Sequence, residues 1–176
     1  VLPVRVRLEA YSPFIPLNAD DSGLPIAVLR YHLANEGSEP VEVSLLSSIL
    51  NPIGYPGEGP FAGAFLGGNE NTFVDIGRVR GLSLTSRRYE ASHPDYGTMA
   101  LTTDWPDVGH QDTWLRGSWF DALHDFWNHF SVDGALPERN LGSSPDGSSD
   151  VGSIWLRATL RPGQEVMLPL YLTWHF

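Results

Sequence analysis

The chain has 176 residues and a net charge of −10, and its 11 basic residues are all Arg. That length suits one domain with a core of its own, and so acidic a surface argues against a phosphate backbone as partner. Without Lys or Cys there is no disulfide, no thiolate metal site and no Lys or Cys nucleophile. No apolar run approaches the ~20 residues that a membrane-spanning helix needs.

The sequence opens at Val1 with neither Met nor a charged-then-apolar leader, and so reads as a piece of something longer. Lack of Cys is compatible with either side of a membrane, so the compartment stays open, the cytoplasm among the options.

Val4, Val6 and Leu8 alternate with Arg5, Arg7 and Glu9, the period of a strand with one buried face. A Pro-rich segment follows, Tyr11 to Pro25. Its prolines fix an extended path, Phe14, Ile15 and Leu17 can anchor it, and Asn18, Asp20, Asp21 and Ser22 gather polar atoms at its end. Asp20 and Asp21 are candidates for acid-base work, although neighbours in sequence seldom face one substrate together. The plainer reading is a crossover whose Asx side chains satisfy the turn backbone. Ala27, Leu29, Tyr31 and Leu33 then share a face, and the alternation resumes at Val41, Val43 and Leu45 after a polar turn, which predicts a hairpin.

Asn51 to Asn71 lacks periodicity but holds Tyr55, Phe61, Phe65 and Leu66, so it is expected to be an ordered surface loop. Strands are predicted within Phe73 to Thr85, Thr98 to Thr103 and Ser153 to Leu160, and again over Val166 to Trp174, where apolar residues occupy alternate positions. Pro162-Gly163 between the last two suits a type II turn. Pro169 makes the final strand an edge, or places its missing donor on an unpaired side. Pro137 to Gly152 is polar and is expected to be mobile.

One segment is helical. Trp119, Phe120, Leu123, Phe126, Trp127 and Phe130 fall within an arc of roughly 120°. Asp121, His124, Asp125, Asn128 and His129 take the opposite arc, and Ser118 with Asp121 forms a capping-box-like start. So apolar a face predicts packing under a sheet or against another domain.

Catalytic signatures such as a phosphate loop, a zinc-protease helix or a nucleophile elbow are missing from the sequence. His124 and His129, five apart, diverge by about 140° and cannot grip one metal as an i, i+4 pair would. Thr103 to Asp112 gathers Asp104, Trp105, Asp107, His110 and Asp112, which suits a hard cation, a sugar or a solvated acidic turn. His93 and Asp95 lie in a turn and make a weak pair. No catalytic residue and no metal set is assigned.

The run Leu8 to Ser22, with Leu24-Pro25 and Tyr31 to Asn35, resembles the N-terminal domain of glycoside hydrolase family 116, which includes the non-lysosomal glucosylceramidases, or bile acid β-glucosidases. The resemblance continues through Asn51 to Gly54, Arg80 to Leu82, Tyr96 to Leu101, Trp127 to Gly134 and Leu172 to Phe176. Seven or so short strands, 18 Gly and 14 Pro point to an all-β fold, an antiparallel β-sandwich over residues 1–176 with one amphipathic helix at about 119–130, and the resemblance implies the same sandwich, supersandwich-like.

The resemblance further implies a fragment of the N-terminal domain of a larger retaining β-glucosidase, with some of its strands absent. The catalytic (α/α)6 domain that would carry the Glu nucleophile and the Asp acid/base is also absent. The substrate would be a β-glucoside or a glucosylceramide-like lipid, reached through the parent enzyme and without a cofactor. Asn18, Asp20, Asp21, Trp105 and His110 are then candidates for the substrate entrance or the domain interface. Trp119, Phe120, Leu123, Phe126, Trp127 and Phe130 form a candidate docking helix. The competing reading is a stand-alone sugar-binding module that stacks on Trp105, Trp114 or Tyr55, or an interaction domain without sugar contact.

Overall fold

The structure, a computed structural model, describes residues 2–55, 67–118 and 120–176. Its elements in chain order are β1 Val4–Tyr11, α1 Ala19–Ser22, β2 Ile26–Asn35, β3 Val41–Leu50, β4 Asn69–Asp75, β5 Arg80–Ser86, β6 Thr98–Thr103, β7 Val108–Gln111, α2 Asp121–Asp133, β8 Val151–Leu160 and β9 Glu165–His175. They form two antiparallel sheets, a large one in the order β1-β2-β9-β6-β5-β4 and a small one in the order β3-β8-β7. The chain is an all-β sandwich.

The core lies between the sheets. Leu33, Leu82, Leu84, Leu101, Leu168 and Leu170 project from the large sheet onto Ile154, Leu156 and Leu160 of β8. Each pair on one strand is separated by an even number of residues, because only alternate side chains of a strand face the same way. Full burial of one such side chain stabilises the fold by about 2 kcal/mol relative to exposure.

The predicted hairpin between β2 and β3 does not form: β2 lies in the large sheet and β3 in the small one. Residues 36–40 form an arch from one sheet to the other, and residues 161–164 form a second between β8 and β9. Asn35, buried, ties the arches together. Its side-chain amide donates to the Leu160 and Glu39 carbonyls (2.9 and 2.8 Å), its N–H donates to Gln164 O (3.0 Å), and its carbonyl accepts from Gly163 N (2.9 Å). At Gly163 φ is 74°, as the third position of a type II turn requires.

The final strand is not an edge, since β9 lies between β2 and β6. Its Pro169 carbonyl accepts a hydrogen bond from Thr103 Oγ1 at 2.6 Å. The N and C=O of a strand residue point to the same side, so the missing donor of Pro169 falls just past Thr102–Tyr171, the last pair between β6 and β9. The region from Phe73 to Thr85 is two strands, β4 and β5. They turn at Gly77, whose φ is 87° and whose N–H is held by Asp75 Oδ1.

The helix runs later than predicted. Its first residue is Asp121, whose carboxylate accepts the Ser118 N–H at 3.1 Å, and it ends at Gly134 in the left-handed conformation. Trp119 lies outside the described residues, as do Phe61, Phe65 and Leu66 of the first long loop. No helix among the described residues is long and apolar enough to cross a membrane.

Candidate functional site

Asn51 follows the end of β3 and is fully buried. Its amide donates to Glu70 O (3.1 Å), Thr85 O (3.0 Å) and Asn71 Oδ1 (3.0 Å), and its Oδ1 accepts from Ile53 N (3.0 Å) and Asn69 Nδ2 (3.2 Å). Asn71 in turn donates to Asp112 O at 2.9 Å, and Ser144 Oγ accepts the Asn69 N–H at 3.0 Å. Buried amides are costly unless satisfied. Here three of them satisfy one another and thereby fasten the loops at one end of the sandwich.

The same network takes up His110 and Asp112 from the acidic stretch. His110 sits on β7, and Asp112 follows it directly after Gln111. His110 Nδ1 lies 2.9 Å from Asp112 Oδ1, and its ring stacks on Phe73 with centroids 4.0 Å apart. Asp112 Oδ2 accepts from Asn140 Nδ2 at 2.9 Å. The segment expected to be mobile, residues 137–152, is thus pinned. Arg116 adds to this by donating to the carbonyls of Leu141, Gly142 and Ser143 and to both oxygens of Asp150. That carboxylate raises the Arg116 guanidinium above its ordinary value.

The three carboxylates of the acidic stretch diverge. Asp104 accepts from Tyr171 OH at 3.1 Å, Asp107 borders an open polar hollow of about 490 Å³ with Glu42, Asp133 and Arg157, and Asp112 turns inward. Among the described residues no three His or acidic groups converge as a metal-holding set. Trp105 leans on the core and donates its indole N–H to Arg157 O at 2.7 Å, and Trp114 donates to Ser153 Oγ at 2.7 Å while stacking on Phe126. Both indoles are therefore engaged within the domain.

Asn18, Asp20 and Asp21 stand elsewhere. The arm that carries them leads into Ile26, which pairs with Thr173 of β9 near Thr98, whereas Trp105 follows the opposite end of β6. Asn18 caps α1 by accepting the Asp21 N–H at 3.1 Å, and its amide donates to Asp21 Oδ2 at 2.6 Å. The arm's polar side chains thus serve its own turn, and the five candidates do not form one site.

Helix α2 divides the arc that its sequence presents as one face. Phe126 and Phe130 are half-buried against the domain, with Phe126 on Trp114 at 4.7 Å, and Ser44 Oγ donates to Gly134 O just past the C-terminus. Asp125, expected on the solvated arc, is held by Arg139 at 2.8 Å. Phe120 (62% exposed), Leu123 (51%) and Trp127 (63%) face outward.

A family pattern described as beta-glucosidase 2, glycosyl-hydrolase family 116 N-term, matches residues 1–176. The chain belongs to this family. Among solved structures it is similar to a putative kojibiose phosphorylase from human microbiome, at 10% identity and a TM-score of 0.42, over 98% of this chain and 16% of that one.

In this family 116 N-terminal domain, His110 and Asp112 are the sequence-derived candidates that help to fasten the loops, whereas Asn51, Asn69, Asn71 and Arg116 carry no such mark in the sequence. The available signal was Asn51, Asn69 and Asn71 at strand ends, where an amide can replace a lost backbone partner.

Proposed function

We propose that this chain is the non-catalytic N-terminal sandwich of a retaining β-glucosidase, and that it supports and docks a catalytic (α/α)6 domain. The observation that carries the reading is the outward row Phe120, Leu123 and Trp127 on a helix whose Phe126 and Phe130 turn toward the domain. Contiguous apolar surface of this kind marks an interface. The family supports the choice of partner, since its description is that of the N-terminal part of a β-glucosidase.

The substrate of the whole enzyme is then a β-glucoside, with a glucosylceramide-like lipid as the specific version. Retention needs two carboxyls roughly 5 Å apart across the bond. Those belong to the catalytic domain, while Asn18, Asp20 and Asp21 border the seam between the domains.

The test is hydrolysis of a chromogenic β-glucoside by this 176-residue chain and by a version extended through the sequence encoded downstream. Turnover by the extended protein only is the expected result. Turnover by the short chain, or by neither, overturns the proposal. Lipid specificity is checked by turnover of glucosylceramide in micelles.

A further inference from the structure

Leu17 is the one described residue other than glycine with a positive φ, 67°, and its side chain is fully exposed. A branched side chain in left-handed backbone is strained, and an outlier of this kind points to function when its surroundings enforce it. They do so here: Ser22 Oγ donates to Ile15 O at 3.0 Å and accepts from Ile15 N at 2.9 Å, and Asn18 N donates to Ile15 O at 3.1 Å. The closed loop holds Leu17 at its crest beside Phe14, 79% exposed. This domain buries none of Leu17 and little of Phe14, and glycine or asparagine would fit the backbone at Leu17 better.

The base of the arm lies against the end of the chain. Trp174 N donates to Pro25 O at 3.1 Å, Ile26 pairs with Thr173, and Phe176, 71% exposed, follows directly. Polypeptide that continues from Phe176 in a family 116 enzyme therefore emerges beside the arm. We infer that Phe14 and Leu17 are a preformed clasp that inserts into an apolar groove on the domain following Phe176. This rests on the docking role proposed above. It assigns the insertion to the arm's apolar side chains, with Asn18, Asp20 and Asp21 at the border of the seam.

The experiment compares Leu17→Asn and Phe14→Ser in this chain and in the protein extended downstream. In the short chain Phe14→Ser keeps the wild-type melting temperature, and Leu17→Asn raises it by a few degrees. In the extended protein each variant splits one coupled melting transition into two, and cleavage by proteinase K between the domains becomes at least tenfold faster. Loss of the clasp is the reason, since the variants fold normally alone.

Coupled melting in the wild-type extended protein that neither variant alters overturns the clasp and leaves the docking role standing. Independent transitions already in the wild type overturn both. A dimer of the short chain that Leu17→Asn dissociates overturns the clasp as well, because a second copy is then the occupant.

Discussion

Arg116 forks onto Asp150, with Nε 2.9 Å from Oδ1 and Nη2 2.7 Å from Oδ2, while the carboxylate is only 6% exposed. Asp150 is buried whereas Arg116 is open to solvent, so removing the guanidinium leaves a buried carboxylate that water reaches only in part. Arg116→Ala should destabilise the chain by about 2 kcal/mol, seen as a fall in Tm of roughly 4 to 8 °C. Arg116→Lys should recover only part of this, since Lys lacks the bidentate fork.

Asn51 gives a second prediction. Asn51→Ala strips partners from two buried carbonyls, the Ile53 N–H and two asparagines, and should cost at least about 3 kcal/mol at 1–3 kcal/mol for each orphaned group. Asn51→Asp should be no rescue, because a carboxylate cannot donate to the Glu70 and Thr85 carbonyls. Urea denaturation of the variants checks both.

Tyr171 makes stability depend on pH at the alkaline end. Burial, and then its hydrogen bond to Asp104, raise the phenol above its ordinary value. The folded state therefore favours the protonated form, and the stabilisation is complete below the unfolded value of about 10. It is lost as pH rises through the higher folded value, where a phenolate would face the Asp104 carboxylate. Urea midpoints should fall as pH rises above about 10, and Tyr171→Phe should flatten that part of the profile.

The two sides of α2 should respond differently. Phe120→Ser and Trp127→Gln in the isolated chain should change stability by less than about 0.5 kcal/mol and raise solubility, as both side chains face water. Phe126→Ala should cost about 2 kcal/mol, because the ring lies on Trp114. Light scattering and thermal melts separate the two effects. If the outward substitutions unfold the chain, the docking role loses its support.

Period-two alternation marked Ala27 to Leu33, Val41 to Leu45 and Val166 to Trp174 as strands with one buried face, and Val4 to Leu8 as a strand too, although the structure leaves Val6 and Leu8 exposed at the edge of the large sheet. Six apolar residues at helical spacing likewise marked α2. The Leu8 to Ser22 run was specific enough to carry the family. Alternation is blind to the partner, however, for a strand hides its apolar face equally well beside a neighbour or across a sandwich. Only tertiary structure sent β2 and β3 to different sheets and locked their arch through Asn35. It alone placed Pro169 inside the large sheet, since a missing donor matters only where a neighbour would accept it. The same holds at the loops: Asn51, Arg116 and Asp150 are ordinary polar residues in sequence, and their role comes from burial among partners that are distant along the chain. Leu17 reads as an anchor in sequence, and only its backbone angle and full exposure show that it anchors nothing within this domain.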